Sequence, residues 1–228
     1  HRILPGILTS APRNSSMSRA FRLGITGKIG SGKSTLSRIA AEHGIKVLEA
    51  DSIAKDLMES HPGLRQQLIS IFGEDTYTEA GLNKSLLASQ IYQSDDALHE
   101  LESVVHPVTF EYIEEQFRKA LPGEIVALES AILFQTGFDE FFDALILVDA
   151  SDESVMKRIA ASGKFSTDDI SNRLKRQAYQ KNWNQDADFV ITNLGSEKDF
   201  IERCAAIVDL IKIVAQVDLP DASLRSLE

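Results

Sequence analysis

The sequence predicts an α/β fold with a doubly wound, mostly parallel sheet of five strands. Short segments rich in Ile, Val, Leu and Phe alternate with helical patterns along the chain. Continuous apolar runs that alternate with helices are typical of parallel strands buried on both faces of a sheet. The predicted strands are Phe21–Thr26, Lys46–Glu49, Glu124–Glu129, Ala144–Val148 and Asp188–Thr192.

Composition restricts the class of protein. Of the 228 residues, 43% are hydrophobic and 25% charged, a balance typical of a folded globular protein. The 24 basic and 34 acidic residues give a net charge of −10, which argues against a nucleic-acid partner or an anionic membrane surface. No apolar run approaches the ~20 residues that a transmembrane helix needs. The single cysteine, Cys204, argues against disulfides and cysteine-based zinc sites and suggests a cytoplasmic location.

The first predicted strand is followed by the segment Gly27–Ser34, which fits the pattern G-x-x-x-x-G-K-[ST] and leads into a predicted helix, Ser34–His43. Glycines allow successive backbone amides to face one concavity, and the helix N-terminus adds partial positive charge. In such a loop Lys33 reaches the β- and γ-phosphates and Ser34 ligates Mg²⁺. The motif therefore predicts a nucleoside triphosphate site. Its predicted contact residues are Lys28, Ile29, Gly30, Ser31, Gly32, Lys33, Ser34 and Thr35.

The stretch between the second and third strands is too long for a simple crossover, and its helical patterns predict an all-helical insertion at residues 52–120. Its predicted helices are Asp51–Ser60, Gly63–Phe72, Asn83–Tyr92 and Asp95–Ala120, the last broken at Pro107. The last predicted helix, Glu197–Val214, should bury one apolar face formed by Phe200, Cys204, Ile207, Val208 and Ile211.

The remaining segments complete the predicted organisation. The nucleotide-binding core comprises residues 17–51, 121–155 and 183–216. Residues 1–16 are expected to be a disordered extension or an artefact, and residues 217–228 a frayed tail. Residues 156–182 are expected to form a short lid, because the window Lys157–Lys181 holds seven bases and two acids within an acidic chain. A solvated helix face would account for some of these bases equally well.

The sequence resembles dephospho-coenzyme A kinases from about Phe21 to Val214. The stretches that carry the resemblance, in order, are LGITGKIGSGKST, EADSIAKDL, VVHPV, SAILFQTGF, and RLKRQ followed by ADFVITNLGS. The resemblance implies a P-loop kinase fold and transfer of the ATP γ-phosphate to the ribose 3′-hydroxyl of dephospho-coenzyme A, with Mg²⁺ as cofactor. ATP and dephospho-coenzyme A would be its small-molecule partners, and the protein would be a monomer or a small homo-oligomer.

The matching motifs assign roles to individual residues. They imply that Asp51 lies at the base and substrate position and that His106 and Phe134 contact the acceptor. Arg158 and Arg173 are the expected lid bases, with Arg158 catalytic beside Lys33. The remaining expectations are Glu129 as a water-mediated magnesium ligand, and Asn193 in a loop whose backbone lines the adenine pocket.

Plainer interpretations remain open for several of these residues. Asp51 could cap the following helix, because it directly precedes a helical pattern. His106 could be a helix-boundary residue before Pro107. Glu129 could hold a helix or turn, and Asn193 could belong to a strand-to-helix turn.

Two other functions stay open, one of them, a nucleotide-binding regulator, because the sequence departs from the family pattern. Ser162 stands where a second lid arginine is expected, Phe110 where an arginine often follows the His-Pro motif, and Gln135 where the third-strand motif usually ends in glutamate. Lys28 or Lys164 could supply the missing charge. The alternatives are another small-molecule or nucleotide kinase and a nucleotide-binding regulator without transferase activity.

Overall fold

The structure is a computed structural model that describes residues 19–137, 139–162 and 187–216. Arg173, Lys164 and most of the predicted lid lie outside these ranges. The chain divides into two compact units, with Glu49–Lys119 forming the second and the flanking segments the first.

In chain order, the strands and helices are β1 (Phe21–Thr26), α1 (Lys33–Glu42), β2 (Lys46–Glu49), α2 (Ala50–Ser60), α3 (Pro62–Phe72), β3 (Tyr77–Thr78), β4 (Gly81–Leu82), α4 (Lys84–Gln93), α5 (Asp95–Lys119), β5 (Ile125–Glu129), α6 (Leu133–Thr136), β6 (Ala144–Asp149), α7 (Asp152–Ser162), β7 (Phe189–Thr192) and α8 (Glu197–Gln216).

The first unit is built on a five-stranded sheet with the order β2-β5-β1-β6-β7. β1 pairs in parallel with β5 and with β6, and β6 pairs in parallel with β7. This confirms the predicted fold class. In open parallel sheets, ligands bind beyond the carboxyl ends of the strands, where the connections diverge to either side. Here the connection from β1 leads to β2 on one side of it, and the connection from β5 leads to β6 on the other side, so the loop after β1 occupies that position.

The core of this unit lies between the sheet and helices α1 and α8. Leu23 and Ile25 of β1 are completely buried and pack in one cluster with residues of both helices. Cys204 of α8 is also completely buried there, which confirms its predicted place on the apolar face. Burial raises the pKa of the Cys204 thiol to about 11, so this cysteine is a small apolar side chain rather than a nucleophile.

The second unit has its own hydrophobic cluster, formed by buried side chains of α2, α3, β3 and α5. The central members are Leu57, Leu64, Leu68, Tyr77 and Val105. The Tyr77 hydroxyl donates a hydrogen bond of 2.6 Å to the Met58 carbonyl, which satisfies the polar end of an otherwise buried ring. The prediction of a purely helical insertion was wrong in one respect, because β3 and β4 form a small antiparallel hairpin.

Helix α5 runs without interruption through Pro107, so the predicted break at that residue was wrong. Proline in a helix interior removes one backbone hydrogen bond and costs roughly 3 kcal/mol. The helix is held by its buried face, whose members recur every four residues: Val105, Thr109, Ile113 and Phe117. Packing of this face on both sides of Pro107 offsets the local cost.

Within the part of the chain that the structure describes, no helix combines the length and apolar character needed to cross a membrane.

Candidate active site

The loop between β1 and α1 has the backbone conformation expected of a phosphate cradle. Gly27, Gly30 and Gly32 all have positive φ, and Gly32 directly precedes α1 with φ of 114°. Side chains are strained in this region, whereas glycine adopts it freely. Space is also restricted at Gly32, because a β-carbon there would lie 2.5 Å from Asn193 Nδ2 and 2.8 Å from the Phe200 ring. Glycine is therefore strongly favoured at these positions.

Lys33, the first residue of α1, turns its side chain back over the loop. Its Nζ donates hydrogen bonds to the carbonyl oxygens of Gly27 at 2.8 Å and Lys28 at 3.0 Å. The ammonium group is thereby held above the concavity in which the loop amides would meet phosphate oxygens. The contact of Lys33 with the β- and γ-phosphates stays a prediction.

Ser34 and Glu129 meet at the carboxyl edge of the sheet. The Ser34 hydroxyl lies 3.2 Å from Glu129 Oε1, which brings the start of α1 to the end of β5. The other carboxylate oxygen, Oε2, is buried and has no hydrogen-bond partner among the described residues. A hydroxyl beside a carboxylate with an unsatisfied oxygen is a donor set that suits Mg²⁺, which prefers oxygen ligands and retains several waters. The two residues therefore fit the predicted metal position.

Helix α7 packs directly against the phosphate loop. Ile29 contacts the buried cluster that contains Val155 and Ile159. A β-carbon added to Gly30 would lie 2.8 Å from Ile159 Cγ1. Lys28 Nζ forms an ion pair with Asp152 Oδ1 at 2.8 Å, in the first turn of the helix. The side chain of Lys28 is thus held by α7 in this structure.

Arg158 extends from α7 to two other segments of the first unit. Its Nη2 donates hydrogen bonds of 3.0 Å both to the carbonyl oxygen and to Oδ1 of Asn193, and its Nη1 lies 3.5 Å from the Gly30 carbonyl oxygen. The lid was predicted to begin at residue 156. In the structure, residues 156–162 continue the helix that starts at Asp152, so Arg158 belongs to an element packed on the phosphate loop.

Asn193 follows β7 and is buried, with 7% of its surface exposed. Its Nδ2 donates a 2.7 Å hydrogen bond to the Ser31 carbonyl, and its backbone N–H donates one of 2.7 Å to the Asp149 carbonyl at the end of β6. The sequence predicted that backbone groups would matter most in this loop. The engaged side chain was missed, because its partners are remote in sequence.

The loop after β7 is fixed on its other side by Arg203 of α8. This side chain donates hydrogen bonds to the carbonyl oxygens of Thr192 at 2.8 Å and Leu194 at 2.5 Å. Ser196 and Asp199 cap the start of α8 reciprocally, each backbone N–H donating to the other's side chain. The loop is therefore held in one conformation between β7 and α8.

The second unit contains two of the three residues expected to meet the acceptor, Asp51 and His106. Asp51 is exposed in the first turn of α2, whose N-cap residue is Glu49, so the helix-cap alternative for Asp51 does not apply. His106 lies within α5, which also removes the boundary interpretation. Its ring centroid is 6.0 Å from that of Phe110, the residue that stands where an arginine was expected.

Burial lowers the pKa of His106 below its ordinary value of 6.5, although the carboxylates of Glu102 and Asp51 oppose this shift. The imidazole is therefore neutral near pH 7, with one nitrogen able to donate and the other able to accept a hydrogen bond.

The first unit thus brings together the phosphate loop, Glu129, Arg158 and Asn193. Phe134 lies half-buried in α6, five residues after the last residue of β5.

Comparison with known proteins assigns the family. The sequence profile of the dephospho-CoA kinases matches residues 21–199. The chain belongs to the dephospho-CoA kinase family. Curated family relatives include proteins from Porphyromonas gingivalis, 38% identical with 68% of this chain and 76% of the relative covered, and from Bacteroides fragilis, 31% identical with 86% and 94% covered.

A solved structure gives the same assignment. The dephospho-CoA kinase from Campylobacter jejuni is 27% identical, with a TM-score of 0.63 over 85% of this chain and 98% of that one. Membership of the dephospho-CoA kinase family confirms the predicted resemblance, the P-loop kinase fold and the enzyme class, an ATP-dependent kinase.

Proposed function

We propose that the protein transfers the γ-phosphoryl group of ATP to the ribose 3′-hydroxyl of dephospho-coenzyme A, giving coenzyme A and ADP. The observation that carries this proposal, together with family membership, is the glycine-lined loop with Lys33 across it and the Ser34–Glu129 pair beside it. These groups stand at the carboxyl edge of a parallel sheet, which is where kinases of this fold hold a triphosphate.

Catalysis in this proposal consists of positioning and charge stabilisation. The acceptor oxygen forms a bond to the γ-phosphorus, and the bond from that phosphorus to the bridging oxygen breaks, so the electron pair leaves with ADP. Lys33 and the loop amides bind the β- and γ-phosphates. Arg158 stabilises the charge that develops on the transferring group.

The acceptor side uses Asp51, His106 and Phe134. Asp51 accepts the proton of the attacking hydroxyl, since an exposed carboxylate is available as a general base. Neutral His106 orients the acceptor by hydrogen bonding. Phe134 contributes an apolar contact to the same substrate.

Magnesium would be held by the Ser34 hydroxyl and, through water, by Glu129. When bound, the ion neutralises charge on the phosphate oxygens. The protein's part is to hold the Glu129 carboxylate beside the loop, with its buried Oε2 left without a protein partner among the described residues.

The remaining assignments also stay predictions. The loop from Asn193 to Gly195 lines the adenine pocket with its backbone groups, and Arg173 closes on the triphosphate. Ile29, Gly30, Ser31, Gly32 and Thr35 contribute the other contacts of the phosphate loop. A cytoplasmic location, a monomeric or small homo-oligomeric state and the lack of a nucleic-acid partner also stay predictions.

The test follows the acceptor by mass in the presence of Mg-ATP. Dephospho-coenzyme A should gain one phosphate while an equal amount of ADP forms. Lys33→Ala and Asp51→Asn should each lower kcat by at least about 100-fold with an unchanged circular dichroism spectrum. Lys198→Ala, which removes an exposed lysine of α8, is the matched control and should leave kcat unchanged.

Two results would contradict the proposal. Phosphate gain on shikimate or a nucleoside, with none on dephospho-coenzyme A, would favour another small-molecule kinase. Tight binding of ATP without phosphate gain on any acceptor would favour a regulator.

A further inference from the structure

We propose that Asn193 is a positioning residue whose side chain fixes Arg158 in place relative to the phosphate loop. The role rests on the proposed function, because it concerns the same ATP site. It differs from an adenine contact, because the side-chain groups of Asn193 are already committed to protein partners.

The first half of the argument concerns the phosphate loop. Asn193 Nδ2 donates to the Ser31 carbonyl at 2.7 Å, and Asn193 is 7% exposed. Buried carbonyl groups need partners, so this bond fixes the orientation of the Ser31–Gly32 peptide. That peptide also presents the Gly32 amide immediately before the start of α1, where the amides converge on phosphate.

The second half concerns Arg158. A guanidinium is a planar fork, and its direction is set by the acceptors that it meets. One nitrogen, Nη2, is shared at 3.0 Å by the backbone carbonyl and the Oδ1 atom of Asn193. The other, Nη1, is turned toward the carbonyl of Gly30 in the phosphate loop. The amide of Asn193 therefore holds the loop with its nitrogen and the arginine with its oxygen.

Asn193 is itself held firmly. Its backbone N–H is bonded to Asp149 at the end of β6, so the residue is tied to the central part of the sheet rather than to a free loop. Gly32 leaves room for the amide, since a β-carbon there would lie 2.5 Å from Nδ2. The loop, the amide and the arginine thus form one packed arrangement in which each member depends on the others.

The test separates the two bonds of the amide. Asn193→Ala removes both and should raise the KM for ATP and lower kcat, each by at least about tenfold. Asn193→Asp keeps an oxygen for Arg158 but puts a carboxylate against the Ser31 carbonyl. It should raise the KM for ATP by a similar factor with a much smaller change in kcat. Calorimetric Kd values for Mg-ATP, measured without acceptor, should rise in both variants.

A double-mutant cycle tests the coupling to Arg158. If Asn193 orients the arginine, Arg158→Ala should lower kcat by about 100-fold in the wild type but by less than about tenfold in Asn193→Ala. Fold losses that simply multiply would overturn the proposal, because they would show that the two residues act independently.

Arg203→Ala is the matched control. It removes hydrogen bonds to the same loop after β7, but its hydrogen-bond partners Asp199, Thr192 and Leu194 lie outside the phosphate loop. It should lower thermal stability and raise the KM for ATP by less than Asn193→Ala does, with no effect on the loss of kcat caused by Arg158→Ala. An equal rise in KM for Arg203→Ala and Asn193→Ala would overturn the proposal in favour of general loosening of the loop. If Asn193→Ala fails to fold, the question is decided by two measurements. One is the separate effect of Asn193→Asp on the KM for ATP and on kcat, and the other is the effect of Arg158→Ala on the Kd for ATP.

Failure of the proposed function gives a different result. In that case the wild type itself would not phosphorylate dephospho-coenzyme A, although the Kd series for Mg-ATP would still report on Asn193.

Discussion

At the scale of single residues, the unsatisfied Oε2 atom of Glu129 is the feature with the clearest chemical consequence. A buried carboxylate oxygen without a partner among the described residues is costly unless a ligand meets it. Its neighbour Oε1 already contacts Ser34, so a ligand at this place would be shared between the two side chains.

Glu129→Gln should therefore increase the Mg²⁺ concentration needed for half-maximal activity by about 10–100-fold. The amide preserves size and the Ser34 contact but removes the negative charge. Magnesium titrations at fixed ATP measure the effect. Glu42→Gln, at an exposed glutamate paired with Arg38 on α1, is the control and should not shift the titration. An unshifted Glu129→Gln titration would remove Glu129 from the metal site.

His106 gives a pH-dependent prediction. Its pKa in the folded protein is lower than the ordinary value of 6.5, because burial penalises the imidazolium more than Glu102 and Asp51 stabilise it. The unfolded chain consequently binds more protons in this range. The corresponding stability is present above pH 6.5 and is lost as the pH falls through the lowered pKa.

The expected outcome is a free energy of unfolding that declines below pH 6.5 in the wild type and declines less steeply in His106→Gln. Urea unfolding of both proteins across pH 5 to 8 measures the difference. Identical pH slopes would mean that His106 carries no such linkage. The KM for dephospho-coenzyme A, measured in parallel, should rise in His106→Gln at every pH.

At the scale of elements, the turn from β1 into α1 combines backbone conformation and space. Gly32 has φ of 114°, and its missing side chain leaves room for Asn193 and Phe200. Gly44 also has positive φ, 84°, but nothing lies within 4 Å of a β-carbon there. The two glycines therefore separate backbone strain from steric overlap.

Gly44→Ala should cost about 1–2 kcal/mol of stability from backbone strain alone, with unchanged ATP affinity. Gly32→Ala should cost more and should weaken ATP binding by at least about tenfold, because the overlap displaces the Asn193 amide or the loop itself. Thermal unfolding and calorimetry with Mg-ATP distinguish the two variants. Equal effects on both properties would show that the contact with Asn193 does not constrain the loop.

Elements of this protein are predictable where the signal is local. The apolar runs and the phosphate-loop glycines predicted β1, the loop and α1 to within a residue. Pro107 misled the prediction because the buried face of α5 overrides the local cost of proline. The hairpin of β3 and β4 was missed since two-residue strands have no periodicity to recognise.

The candidate site residues, like the elements, were predictable only where the signal is local. Lys33, Ser34 and Glu129 could be recognised from the motif and from strand ends. The side-chain role of Asn193 could not, because Ser31 is 162 positions away in the chain and Arg158 is 35. Which partner a buried amide meets depends on strand order, and no pattern near Asn193 records the order β1-β6-β7.

At the scale of the whole molecule, the division into two compact units has a consequence for ligand-linked stability. Each unit has its own buried cluster, so we expect each to open in a transition of its own. The phosphate loop belongs to the first unit, and Asp51 and His106 belong to the second. A ligand that binds only the folded form of one unit stabilises that unit by about 2.7 kcal/mol at 100 times its Kd.

Mg-ATP at that concentration should slow amide hydrogen exchange in β1, α1 and β6 by up to about 100-fold, with little change in α3 and α4. Dephospho-coenzyme A alone should slow exchange in α2 and α5 instead, around Asp51 and His106. Lys33→Ala should abolish the first pattern and retain the second, which makes it the control for specific binding of ATP. Equal slowing of both units by either ligand would show that the protein opens as a single cooperative structure. Slowing of α5 by Mg-ATP and of the phosphate loop by dephospho-coenzyme A would contradict the assignment of the two substrates to these residues.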